Sequence, residues 1–120
     1  MIETTVRDMM EHLFSRRAPN LPPAGLAEVF DRLLWCLDAS DGAEILETQR
    51  DWLRSGDLEK IEIALAMSEV FPYSTREELA ENLDRLVKQF PSLVPARDKM
   101  LDAWDKTMAN AIRRWRLRRR

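Results

Sequence analysis

With 120 residues, 45% of them hydrophobic and 33% charged, the chain is sized for one modest core and is too apolar to be disordered. Its formal net charge of −2 conceals a split: the last eight residues hold six arginines, while the other 112 carry 13 basic against 21 acidic groups, a net of −8. Three glycines nearly exclude a phosphate-cradling loop, and a single cysteine excludes an internal disulfide.

The first predicted helix opens on the capping pair Thr5 and Asp8 and carries Val6, Met9, Met10, Leu13 and Phe14 at i, i+3, i+4 spacing. Arg16 and Arg17 complement its carboxyl end, and Pro19, Pro22 and Pro23 close it. A second helix is expected from about Ala24 to Ala39, with the stripe Leu26, Val29, Phe30, Leu33, Leu34 and Leu37. Trp35 widens that stripe, and Cys36, within LLWCL, reads as a buried reduced thiol. Ser40 and Asp41 start the third helix, with Glu44 placed for a capping box from Asp41. Its core face is Ile45, Leu46, Gln49, Trp52 and Leu53, and Gly56 is the stop.

Asp57 caps a fourth helix that should run to Pro72. Its stretch Ile61–Phe71, IEIALAMSEVF, is apolar around most of a helical circumference, which places it in the middle of the fold. It is too short and too interrupted by glutamate to span a bilayer. Ser74 and Thr75, followed by Glu77 and Glu78, begin a fifth helix presenting Leu79, Leu83, Leu86, Val87 and Phe90, and Pro91 breaks it. The last helix begins near Pro95. There Met100, Leu101, Trp104, Met108, Ala111, Ile112 and Trp115 share one face for about five turns. No period-two alternation occurs, so no sheet is expected. The fold class is all-α: an irregular antiparallel bundle of about six helices, with stacked helical hairpins as the other reading. Residues 1–115 form one helical domain and 116–120 an Arg-rich tail.

No Gly-x-Ser-x-Gly elbow, Cys-x-x-Cys or Glu-x-x-His spacing is present, and His12 lacks a second histidine, so neither catalytic nor metal-binding residues are assigned and no cofactor is expected. The N-terminus has acids where a signal peptide would have a basic head, which points to a cytoplasmic protein, with no membrane partner. Acidic residues rise above background. Eight fall between Asp38 and Glu62, against Arg50, Arg54 and Lys60. Glu44, Glu47 and Asp51 share one narrow helical sector opposite the core face, and Asp98, Asp102 and Asp105 line the outer face of the last helix. Either a solvated surface or a docking surface for a basic protein fits them. The arginines Arg113, Arg114, Arg116, Arg118, Arg119 and Arg120 suit an anionic ligand, including nucleic acid, or else a cationic helix end.

The segment SGDLEKIEIALAMSEVFPYSTREELAENL and the Phe90-Pro91 helix end resemble small, acidic, all-helical bacterial immunity proteins of polymorphic toxin and contact-dependent growth inhibition systems. That resemblance implies a cytosolic, non-enzymatic protein that binds and neutralises one toxin domain, such as a basic nuclease. The alternative is a nucleic-acid-associated regulator working through the Arg-rich tail.

Overall fold

The computed structural model describes residues 4–118. Among them the chain is all-α, with α1 (Val6–Arg16), α2 (Pro23–Cys36), α3 (Ala39–Leu53), α4 (Leu58–Ala66), α5 (Arg76–Gln89) and α6 (Val94–Arg118). A 3₁₀ turn at Pro91–Leu93 precedes α6, and no strand occurs among the described residues. The helices group into two compact units, Met1–Pro72 and Tyr73–Arg120.

In the N-terminal unit, α4 packs on both α2 and α3, and α1 lies on α3 and α2. Ile61, Ile63, Ala64 and Leu65 of α4 are all buried, as a helix with apolar residues around most of its girth must be. Trp52 is the largest buried side chain, with Phe14 and Phe30 edge-on to it at 5.5 and 5.7 Å. Its indole N–H donates to Glu11 Oε1 at 2.9 Å, and Lys60 Nζ donates to both oxygens of the same carboxylate. The half-buried Glu11 is thereby satisfied from two helices.

Local start signals act as expected at three helices. Thr5 and Asp8 form a reciprocal capping box, Asp57 accepts from the Glu59 and Lys60 N–H groups, and Thr75 accepts from Glu78 N–H. Gly56 takes φ +76°, which favours glycine after α3.

Three boundaries differ from the sequence expectation. The helix expected to reach Ala39 ends at Cys36, and α3 starts at Ala39 because Asp38, not Asp41, is its cap: Asp38 Oδ1 accepts from Asp41 N–H at 3.0 Å. That takes Glu44 out of the expected capping box, and its Oε1 instead accepts from Arg7 N–H of α1 at 3.1 Å. The largest difference is at α4, which stops at Ala66 rather than near Pro72. Met67 turns extended (ψ 128°), and the next two N–H groups go to Asp31 of α2: Ser68 to Oδ2 at 3.1 Å and Glu69 to Oδ1 at 3.2 Å. An orphan carbonyl at the end of α4, Ala64 O, accepts from buried Gln49 Nε2 at 3.0 Å, which also reaches Val70 O at 3.4 Å.

The C-terminal unit is an antiparallel hairpin of α5 and α6 over the 3₁₀ turn, with Leu79, Leu83, Leu93 and Met100 buried. Arg76 at the start of α5 pairs with Asp105 of α6, and Asp84 pairs with Arg97, so the two helices run in opposite directions. α5 has 14 residues and α6 has 25, so the thirteen residues of α6 after Asp105 extend about 20 Å beyond that last pair.

Candidate functional site

Of the acidic residues singled out from the sequence, all but Glu44 meet a cation, and Glu44 accepts from a backbone N–H. Glu44, Glu47 and Asp51 do share one face of α3, but that face receives α1. Besides its N–H bond to Glu44, Arg7 places a guanidinium nitrogen 2.7 Å from Asp51 and 3.8 Å from Glu47. The cation beside Glu47 and Asp51 is therefore Arg7 rather than a sequence neighbour such as Arg50 or Arg54, because Arg7, forty or more positions earlier, comes alongside only in the tertiary fold. On α6, Asp98 pairs with Arg97, Asp102 with Lys106 one turn on, and Asp105 with Arg76 through two hydrogen bonds at 2.8 and 3.2 Å. The Arg76 guanidinium holds the Asp105 carboxyl below its ordinary value of 3.8. These pairs are largely exposed, and exposed pairs contribute little net stability.

The arginines lie on a continuous helix: α6 runs unbroken through Arg113, Arg114, Arg116 and Arg118, while Arg119 and Arg120 fall outside the described residues. The apolar stripe expected to be core divides in two. Met100 is buried and Leu101 and Trp104 are partly so, but every residue from Asp105 to Arg118 is exposed. Met108, Ile112 and Trp115 retain 39%, 53% and 56% of their surface. The physical reason is length, since α5 begins beside Asp105 and offers nothing to pack against further along. The result is an arm with an i, i+4, i+7 apolar seam, flanked at 100° per residue by Arg116 on one side and Arg118 on the other.

A third feature escaped the sequence reading. Trp35, expected beside the core stripe of α2, is 78% exposed, and Cys36, expected to be buried, is exposed too. Helical geometry carried the signal: Trp35 follows Leu26 by nine residues, half a turn away from it on the wheel, in the sector of Glu28, Asp31 and Arg32. These four residues, with Ser68 and Glu69 from the segment after α4, line a depression of about 350 Å³. Arg32 is held by Glu28 one turn earlier at 3.0 Å. Asp31 is buried under the segment it anchors, and burial pushes its carboxyl above the ordinary value of 3.8 against the lowering pull of the Ser68 and Glu69 bonds. Glu69 is exposed, and among the described residues its carboxylate has no ion-pair partner.

Among the described residues no group of three His, Cys, Asp or Glu is placed to hold a metal ion, and no helix is long and apolar enough to cross a membrane. No family model, curated protein or solved structure matches the chain.

Proposed function

We propose that the protein acts by binding a basic protein partner, which docks on the N-terminal unit at the depression around Trp35. The observation that carries this reading is an indole 78% exposed at the rim of a depression whose lining holds three carboxylates, Glu28, Asp31 and Glu69, against the one cation Arg32. An exposed large aromatic is costly to leave in water, and Trp is a favoured interface anchor. Its ring face attracts Lys and Arg, and carboxylates beside it extend that preference to a partner presenting several cations. The unit as a whole has fourteen acidic and seven basic residues, so its field steers a cationic protein toward it. The likeness to immunity proteins supplies a role: a cytoplasmic, non-enzymatic antidote that neutralises a basic toxin domain such as a nuclease, for which fast electrostatically steered association is an advantage.

The test is titration with the purified product of the adjacent gene, or with the basic protein that co-purifies with tagged wild type. Trp35→Ala is expected to weaken binding at least tenfold, and Glu69→Gln to slow association and flatten its salt dependence. The triple variant Glu44→Gln, Glu47→Gln, Asp51→Asn serves as the control on the alternative docking face. Loss of binding in that triple with none in Trp35→Ala would move the site to α3.

A further inference from the structure

The chain carries two exposed surfaces of opposite charge and like character. One is the depression of the N-terminal unit, acidic around an exposed Trp35. The other is the arm of α6, where Met108 and Ile112 are exposed between arginines and no acidic residue follows Asp105. By charge the two units divide as net −7 and net +5, from fourteen acidic against seven basic residues and seven acidic against twelve basic.

The arm needs an occupant that is both apolar and anionic. A nucleic acid duplex offers phosphates to the arginines but nothing to an apolar seam facing its backbone. A flat anionic bilayer would take the seam, but Leu117, 63% exposed, lies nearly opposite Met108 on the wheel and would be left in water together with Arg113 and Arg114. A concave surface with an exposed indole at its rim and carboxylates in excess over its one arginine answers both needs, and this protein has one.

We propose that the occupant of the arm is a second copy of this chain: the arm of each copy lies in the Trp35 depression of the other. The proposal rests on the reading of that depression as a site for basic protein surfaces, with the arm as its own cationic ligand. Where two copies exchange arms the contact is isologous, and the assembly ends at a dimer. It also makes the same contact twice, doubling the area that one arm buries. Arg116 meets Glu69, whose carboxylate has no ion-pair partner among the described residues, and Ile112 meets the Trp35 ring. Dimer formation then competes with the basic partner for the depression, and the partner has to displace the arm.

Sedimentation velocity on the full chain over a hundredfold concentration range, at about 50 mM and about 500 mM salt, tests this. The expected result is a dimer at low salt whose dissociation constant rises at least tenfold at high salt. Ile112→Asp and Trp35→Ala change exposed side chains, so both variants are expected to fold as wild type by circular dichroism. Each alone is expected to be monomeric. Mixed in equal amounts they are expected to recover a weaker dimer, because the intact arm of one meets the intact depression of the other. A dimer indifferent to both variants, or a mixture that stays monomeric, overturns the exchange. So does a monomeric wild type, which leaves the basic-partner reading standing because that is read separately by titration of Trp35→Ala. If that monomer instead binds vesicles of neutral and anionic phospholipid, or duplex RNA, and Ile112→Asp abolishes it, the arm belongs to that ligand.

Discussion

Gln49 caps the end of α4 from another helix, although its own buried Oε1 finds no hydrogen-bond partner. Fully buried, it donates from Nε2 to Ala64 O and Val70 O, so it satisfies one carbonyl that α4 leaves open and one from the segment that follows. Leucine at this position would fill similar space but strand both carbonyls, and Gln49→Leu is expected to cost about 1–3 kcal/mol in denaturant unfolding. Leu65 of the same helix is 4% exposed, and Leu65→Ala is expected to cost about 2–5 kcal/mol by the same measurement. Asp31 is a different case, because burial raises its carboxyl above 3.8 although Ser68 and Glu69 donate to it. A carboxyl whose folded pKa exceeds its unfolded value binds its proton more tightly in the native state. Its contribution to stability is therefore present below 3.8 and is lost as pH rises through the folded value. Thermal melts from acid to neutral pH are expected to show wild type losing stability relative to Asp31→Asn over that window, with a constant difference above it.

At the scale of elements, α1 and α3 are joined by charge as well as by packing. Arg7 meets Glu44, Glu47 and Asp51 with its own side chain half-buried. Three carboxylates that would repel one another on an isolated helix become a clamp once α1 supplies a guanidinium to Glu47 and Asp51 and a backbone N–H to Glu44. The triple variant Glu44→Gln, Glu47→Gln, Asp51→Asn is accordingly expected to destabilise the fold by up to about 1 kcal/mol, more at low salt than at high, rather than to relieve repulsion. α6 is unevenly supported: Met100 is buried beside α5, whereas 105–118 is exposed throughout. Few tertiary contacts hold those last turns, so hydrogen exchange is expected to be fast in 108–118 and slow around Met100. Under dimerising conditions the protection of 108–118 is expected to rise.

At the scale of the whole molecule, a net charge of −2 hides an acidic N-terminal unit and a basic C-terminal one. Near-neutral totals weaken general repulsion between copies, and segregated charges favour contacts between unlike units. Concentration and salt are therefore the variables that should govern this protein's state. If the proposed basic partner and the proposed second copy share the Trp35 depression, partner titrations below and above the dimer midpoint should give different apparent dissociation constants.

Six helices and the buried faces of α3, α4 and α5 were legible in the residues because the interactions that specify them span four positions or fewer. Trp35, Cys36 and the stripe from Met108 to Trp115 were expected in the core and are instead exposed. Thr5, Asp57 and Thr75 cap their own first turns, and the stripes of α4 and α5 bury whatever their neighbours turn out to be. The candidate site was legible only in part. The half-turn between Leu26 and Trp35 already placed that indole away from the core, but its acidic surroundings include Ser68 and Glu69, brought there by hydrogen bonds to Asp31 across thirty-seven and thirty-eight positions. The end of α4, the cation that answers Glu44, Glu47 and Asp51, and the length of α6 left uncovered were likewise decided by tertiary structure. Each depends on which distant group arrives at a short-range vacancy, and no local pattern encodes that arrival.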